Sequence, residues 1–320
     1  MLINLFKKNY INQYLLIFPV SILLWVGSFV TPNPMEEYVS YSVLYDFLYR
    51  LLNPYPLLTT ILAYILVMIQ GLMFNQILNK HKLVANTTVF PMFLYILFSS
   101  AIPYQTFNPI LISNIFVLKA IDCMMDCVNI KDSQNKVFLS AILISISTLF
   151  YVQSIYYLIL LPITLMIFKI YYWREWTTIL FGFALPQIIL LLFAFFTNEV
   201  CSLLSSFIDC ISLFSFNFEI ANTIDVVMDL FVILIFIVSF FAYFINSFDN
   251  IILYRKKVAV ISWSIIIGIS AIIYQPFTAQ MFVVPFSFFM FRYFLKSRYS
   301  IILDVVLLLL LASLFLKVYI

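Results

Sequence analysis

Two adjacent carboxylates, Glu36 and Glu37, are the residues of this sequence with the clearest capacity for chemistry. They stand near the beginning of the polar stretch 31–56, which follows a long apolar segment. If that segment spans a membrane, the two side chains face water and lipid headgroups together. A carboxylate in such a place can act as a general base toward an acceptor hydroxyl, or hold a divalent cation against a phosphate. Glu36 and Glu37 are therefore candidate catalytic residues.

A structural role for the same pair is the alternative. Asn33 is a favourable helix N-cap, and Pro34 suits the first helical position. Glu36 then falls three residues after the cap, as in a capping box. Glu37 would also be favoured there by the helix dipole. The sequence alone leaves both interpretations open.

A second acidic stretch, 198–225, contains four carboxylates and no basic residue. Glu199 and Asp209 are its candidate metal ligands, for a divalent cation that would bridge to a lipid-linked phosphate. The acidity can equally be the counterpart of the bias by which basic residues of membrane proteins are concentrated on the cytoplasmic side. Cys201 and Cys210 lie in the same stretch, and spacing alone does not decide whether they form a disulfide.

The remaining reactive groups favour structural roles. Cys123 and Cys127 are four residues apart without a nearby histidine, which predicts inert thiols. The single histidine, His81, stands between two lysines and is predicted to contact lipid headgroups. The sequence has no glycine-rich phosphate loop and no zinc-type histidine spacing, and a Ser-His-Asp triad is not expected. No cofactor is evident apart from the candidate cation.

The composition decides which kind of element must position these groups. The chain has 320 residues, of which 65% are hydrophobic and 10% are charged, and its mean hydropathy is +1.10. Soluble domains have about 45–50% apolar and about 25% charged residues. The figures exclude a soluble enzyme and a nucleic-acid-binding domain, and they predict an all-α, polytopic integral membrane helix bundle.

Apolar runs predict about eleven transmembrane helices in a single domain, residues 1–320, because a span needs about 20 mostly apolar residues. Several of the runs are short for a span. The predicted spans are Tyr14–Val30, Leu57–Leu78, Thr88–Ala101, Pro109–Met124, Val137–Tyr151, Ser154–Tyr171, Thr177–Thr197, Val226–Ile245, Val258–Tyr274, Met281–Phe294 and Ile301–Leu316.

The basic residues predict the orientation. With these spans, fifteen of the 17 lysines and arginines fall on one side, and only Arg50 and Lys317 fall on the other. Cytoplasmic loops are enriched in basic residues, so the N-terminus is predicted to be cytoplasmic. The first span, which lacks a small-residue cleavage site, is predicted to be a retained signal anchor.

The two long stretches, 31–56 and 198–225, then become the first and fourth outward loops. Apolar residues recur at helical spacing from Tyr38 to Leu51, with Asp46 and Arg50 four apart on the other face. This pattern predicts an amphipathic helix in the outer headgroup plane. The apolar run Cys201–Phe216 predicts a second interfacial helix.

The middle of the chain resembles an uncharacterised bacterial family of polytopic inner-membrane proteins, a domain of unknown function. This resemblance implies that the chain is a multi-pass protein of a bacterial inner (cytoplasmic) membrane. The resemblance rests on Phe107–Asn114, Ser147–Tyr151 and Trp173–Trp176 with the following Gly182 and Pro186. More distantly, the layout is similar to that of the GT-C membrane glycosyltransferases. This resemblance implies a polyprenyl-phosphate-linked sugar as substrate, Glu36 or Glu37 as acid or base, and Asp46 as a further catalytic candidate.

Three functions remain open at this stage. The first is a GT-C-like transferase, or a binder, of a polyprenyl-phosphate-linked saccharide at the outer leaflet. The second is a non-catalytic subunit of an envelope assembly or export complex, with other membrane proteins as partners. The third is a transporter or lipid flippase, against which the lack of a visible internal repeat counts. In each case membrane lipid is the expected surrounding partner, and nucleic acid is not.

Overall fold

A computed structural model gives the fold of this chain. The structure describes residues 11–35, 43–84, 87–101, 105–128, 133–198, 200, 233–243, 252–272, 281–296, 304–305, 307–308 and 311. These residues form helices joined by turns, and no strand occurs among them. The predicted all-α class is confirmed for this part of the chain.

The described helices have the following order along the chain. They are α1 (Ile11–Val30), α2 (Val43–Leu52), α3 (Pro56–Lys80), α4 (Phe90–Ala101), α5 (Pro109–Asp126), α6 (Ser133–Phe150), a 3₁₀ segment (Val152–Ile159), α7 (Leu160–Phe168), α8 (Trp173–Phe196), α9 (Ile233–Tyr243), α10 (Ile252–Ile272) and α11 (Val283–Lys296).

Four described helices are long and apolar enough to cross a membrane: Gln13–Val30 within α1, and α3, α6 and α8. Four further apolar segments are shorter, and α4 and α9 are among them. The predicted number of about eleven spans is therefore not confirmed. What the helices support is the coarser statement that the chain is embedded in a membrane.

The surface of α8 shows why a membrane is needed. Its side chains Phe181, Phe193, Phe195 and Phe196 are between 65% and 81% exposed. Apolar surface of this extent would cost free energy in water, but it matches the hydrocarbon core of a bilayer. Serine, threonine and glutamine side chains are instead buried between helices, where they bond neighbouring elements.

Two interhelical contacts show which helix ends are adjacent. Near the C-terminal end of α1, Trp25 Nε1 donates to Ser100 Oγ at the end of α4, at 3.1 Å. At the opposite end of the bundle, Lys80 of α3 lies 2.8 Å from Asp122 of α5. The C-terminal ends of α3 and α5 are thus adjacent, as expected if the intervening α4 runs the other way.

A helix is present in the stretch 31–56, as predicted, but it does not begin at Pro34. Residues 32–35 are not helical, so the interpretation of Asn33 as N-cap and Pro34 as first helical residue is wrong. The helix is described from Val43. Tyr45 is buried, and its hydroxyl donates to the carbonyl of Phe107 at 3.2 Å, which fixes α2 to the beginning of α5.

Candidate functional site

A group of charged side chains joins four helices at the end of the bundle that the sequence predicts to be cytoplasmic. We call it the lysine cluster. Its members are Lys80 and His81 at the end of α3, Lys119, Asp122 and Asp126 on α5, Lys136 on α6 and Lys257 on α10. Asp122 and Asp126 are four residues apart, so one face of α5 presents both carboxylates.

Asp122 is the centre of the cluster. It is 4% exposed and accepts hydrogen bonds on both carboxylate oxygens. Lys80 Nζ and His81 Nε2 each lie 2.8 Å from Oδ1, and Lys119 Nζ lies 3.2 Å from Oδ2. A buried carboxylate is tolerated when it is paired in this way, because the donors replace the water that it has lost.

Asp126 extends the cluster toward solvent. Its Oδ2 lies 2.6 Å from Lys80 Nζ and 3.6 Å from Lys136 Nζ. The Lys80 ammonium therefore bridges both carboxylates. Since lysine at the last turn of a helix also complements the helix dipole, the end of α3 is a favourable place for this charge.

Both ring nitrogens of His81 have partners in this arrangement. Its Nε2 faces the Asp122 carboxylate, and its Nδ1 lies 3.2 Å from Lys257 Nζ. When Lys257 is an ammonium it donates to Nδ1, and a proton on Nε2 then faces the Asp122 carboxylate. Burial lowers the pKa of Lys257, and the nearby Lys80 and Lys82 act in the same direction.

The predicted contact between His81 and lipid headgroups is wrong. The side chain is 2% exposed and is turned inward between α5 and α10. The two neighbouring lysines suggested a surface turn, but a histidine shares hydrogen bonds with carboxylates and can be buried when both ring nitrogens have partners. The pairing partner Asp122 is 41 residues away, and no local pattern indicates it.

The lysine cluster carries an excess of positive charge. Four lysines face two aspartates. The side chains of Lys80, Lys119 and Lys136 are 47%, 53% and 39% exposed, so their ammonium groups can reach a ligand. Fixed, partly exposed ammonium groups favour an anion.

A metal ion fits the same residues less well. His81, Asp122 and Asp126 bring possible ligand atoms within 4.8 Å of one another. However, the Lys80 ammonium lies within hydrogen-bonding distance of both carboxylates, where a metal ion would have to bind. The site already has an internal cation, and a divalent ion would be repelled by the surrounding lysines.

Most of the sequence-predicted site residues lie outside the described residues. These are Glu36, Glu37, Glu199, Asp209, Cys201 and Cys210. Their roles stay predictions. Asp46 is described: it lies half-buried in the first turn of α2, beside the buried Tyr45 and at the other end of the bundle from the lysine cluster.

The two described cysteines behave as the sequence predicts. Both are buried and reduced, and Cys127 Sγ donates to the Cys123 carbonyl at 3.3 Å. Burial raises the pKa of the Cys127 thiol to about 12. A thiol that is not ionised is a poor nucleophile and a poor metal ligand, which supports inert thiols.

Sequence reasoning did not select Asp122, Asp126 or Lys257 as site residues. One signal was present: Lys119, Asp122 and Asp126 share a helix face near the end of a predicted span. Comparison of the chain with protein-family models, curated proteins and solved structures found no match. The resemblances given above therefore remain expectations, and the site rests on its geometry alone.

Proposed function

We propose that this chain is a multi-pass membrane protein that binds the anionic, phosphate-bearing headgroup of a lipid at the lysine cluster. One observation carries the proposal. Asp122, held by three donors, fixes Lys80 and Lys119 side by side with their side chains about half exposed, and the cluster keeps a positive excess.

The position of the cluster suits a lipid headgroup. It lies where α3 and α5 end, and the ends of apolar helices face the headgroup layer of a bilayer. Basic pockets between helices on the cytoplasmic side are a common way to bind anionic lipids. The lysines act as point charges for phosphate oxygens, and the buried aspartate spares the entropy cost of ordering them on binding.

A polyprenyl-phosphate-linked saccharide belongs to this class of ligand. Transfer of the saccharide, in the manner of a GT-C-like glycosyltransferase, is a second candidate function. The amphipathic helix α2 in the first outward loop favours it, since this loop carries Glu36, Glu37 and Asp46. Replacing both Glu36 and Glu37 with glutamine should abolish transfer without loss of folding, and unchanged transfer would exclude them as acid or base.

Lipid binding can be tested by native mass spectrometry of the purified protein in mild detergent. Undecaprenyl phosphate and phosphatidylglycerol are added in turn, with zwitterionic phosphatidylcholine as the reference lipid. The double variant Lys119→Gln/Lys136→Gln removes two half-exposed charges and leaves the Lys80 bridge. Each lysine near an anionic headgroup contributes about 1 kcal/mol, so affinity should fall about 30-fold.

The matched control is Lys169→Gln/Arg174→Gln, which removes two exposed charges on the same predicted side. It should change affinity little. Equal affinity of the wild-type protein for the anionic and the zwitterionic lipids would contradict the proposal. If a stoichiometric protein partner were bound and no anionic lipid, a non-catalytic subunit of an envelope complex would be the better description.

A further inference from the structure

The chain leaves the α-helical conformation at one buried place. Between α6 and α7 it forms a 3₁₀ segment of eight residues, Val152–Ile159. Runs of 3₁₀ helix beyond three or four residues are uncommon and often mark functional positions. Within a bilayer, irregular backbone is tolerated where it is buried in protein or lines a polar cavity. Residues 151–154 are all buried here.

Polar side chains gather around the beginning of this segment. Ser113 Oγ of α5 lies 2.8 Å from Ser147 Oγ of α6 and 2.5 Å from Ser154 Oγ of the 3₁₀ segment. All three serines are fully buried. We call the wider group the interior polar cluster. Its members are Gln70, Tyr95, Ser113, Ser147, Gln153, Ser154 and Tyr157.

The outer members of the cluster are hydrogen-bonded within the protein. Tyr95 donates to Gln70 Oε1 at 2.9 Å, and Gln70 Nε2 donates to the carbonyl of Leu111. Tyr157 donates to the carbonyl of Met281 at 3.4 Å. These bonds hold α3, α4, α5 and the 3₁₀ segment in a fixed arrangement around the serines.

Gln153 is the exception. The residue is 7% exposed, and its side-chain oxygen Oε1 accepts no hydrogen bond from the part of the chain that the structure describes. A buried acceptor without a donor is costly and needs an explanation. Gln187 shows the contrast: its amide nitrogen donates to Thr148 Oγ1 at 2.7 Å and to Ser145 Oγ at 3.2 Å.

We propose that the interior polar cluster binds an uncharged, hydroxyl-bearing group of a substrate, such as a polyol or sugar, and that a ligand hydroxyl donates to Gln153 Oε1. The chemistry of the cluster selects this class. It has amide and hydroxyl groups but no ionised side chain, so a charged ligand would lose its hydration without compensation. An apolar ligand would leave Gln153 unsatisfied. Serine hydroxyls can donate or accept and so suit a polyol.

The interior polar cluster is separate from the lysine cluster. Ser113 lies four residues into α5 and Asp122 lies near its end, so about 14 Å of helix axis separates them. A ligand would reach the interior polar cluster by the shorter route from the predicted outward end of the bundle. There α2 packs against α6, and Tyr45 of α2 bonds to the residue before the Asn108 cap of α5.

Cysteine accessibility tests the inference in the full chain. Ser147→Cys is made in a protein whose four native cysteines are replaced by serine, and is treated with a water-soluble methanethiosulfonate reagent. The control is Ala141→Cys, which is equally buried on α6 but lies against Gly182 of α8. Ser147→Cys should react faster than the control, and glycerol, glucose or maltose should slow its reaction.

Two glutamine variants then locate the hydrogen bond. Gln153→Met in the Ser147→Cys protein should weaken protection by the polyol about fivefold, the effect of one neutral hydrogen bond. Gln187→Met should leave protection unchanged. Size-exclusion profiles show whether each variant is folded. Equal labelling of Ser147→Cys and Ala141→Cys, or protection by none of the three solutes, would overturn the proposal.

Discussion

Asp122 is the side chain on which the charged end of the bundle depends. It is almost fully buried and accepts from Lys80, His81 and Lys119. Asp122→Asn keeps the shape but removes the negative charge, so the donors lose their counter-ion. Breaking a buried ion pair from one side typically costs 3–5 kcal/mol. We expect the free energy of unfolding to fall by about 3 kcal/mol, as measured by denaturant unfolding in detergent micelles.

Asp126→Asn is the matched control for that measurement. Asp126 lies one helical turn further along α5, and its side chain is 23% exposed. Water can replace part of its ion pairs, so its loss should cost about 1 kcal/mol. If Asp122→Asn were no more destabilising than Asp126→Asn, burial would not be the reason for the strength of the cluster.

Cys127 gives a prediction about pH. Its pKa is raised to about 12, whereas an unfolded cysteine titrates near about 8.5. At pH 8 a smaller fraction of Cys127 is thiolate in the folded protein than in the unfolded protein. Alkylation of Cys127 by iodoacetamide should therefore be on the order of a thousand times slower in the folded protein. The native rate should keep rising up to pH 12, while the unfolded rate reaches a plateau above about pH 9. Equal rates at pH 8 would show an accessible, ionised thiol.

The same raised pKa has a consequence for stability. The folded protein holds the Cys127 proton more tightly than the unfolded chain does. The protonated Cys127 thiol therefore makes its full contribution to the free energy of unfolding below the unfolded pKa. This contribution is lost as the pH rises from about 8.5 toward 12. Cys127→Ser should reduce this alkaline loss of stability, which thermal unfolding across the pH range can measure.

At the scale of elements, the contact between α6 and α8 depends on one glycine. A Cβ added at Gly182 would come within 2.8 Å of Ala141 Cβ and 2.9 Å of the Phe138 carbonyl oxygen. The backbone oxygen cannot move aside as a side chain can. Gly182→Ala should therefore lower the free energy of unfolding by about 1–3 kcal/mol, the usual cost of overpacking.

Gly71 of α3 is the control position. A Cβ there would meet Ile96 Cγ1 at 3.2 Å and Met92 Cγ at 3.4 Å, both in side chains that can adjust. Alanine also has a higher helix propensity than glycine by about 1 kcal/mol. Gly71→Ala should then be close to neutral. A similar loss in both variants would mean that close packing at Gly182 is not special.

The elements also show what sequence could predict. The start of α5 follows from local chemistry: Asn108 Oδ1 accepts from Leu111 N at 2.8 Å, and Pro109 occupies the first helical position. The predicted start at Pro109 is confirmed. By contrast, the cap pattern at Asn33 is only a weak local preference, and residues 32–35 are not helical.

The 3₁₀ segment and the lysine cluster could not be predicted from local patterns. An apolar run has the same composition whether it forms an α-helix or a 3₁₀ helix, so the change at Val152 leaves no periodic signal. Lys80 and Asp122 meet only because α3 and α5 end side by side, 42 residues apart in sequence. The sequence shows charges of both signs near span ends, but tertiary packing decides which of them pair.

In the molecule as a whole, the two polar clusters lie at different depths along helix α5. The outer face of α8 is apolar, the interior polar cluster is buried near the beginning of α5, and the lysine cluster lies near its end. One helix, α5, contributes Ser113 to the first and Asp122 to the second. Which side of the membrane each cluster faces therefore depends on the direction of this helix alone.

That direction is open to a direct test. The basic residues predict that the lysine cluster faces the cytoplasm. Tyr55, before α3, and Tyr172, before α8, are 61% exposed and should then lie on opposite sides, because an odd number of predicted spans separates them. In a chain without native cysteines, a membrane-impermeant maleimide should label Tyr55→Cys in intact cells and Tyr172→Cys only after permeabilisation.

Labelling of Tyr172→Cys alone in intact cells would reverse the orientation and place the lysine cluster at the outer leaflet. Labelling of both would mean that one of the short helices between them does not cross, because only an even number of crossings leaves the two positions on the same side.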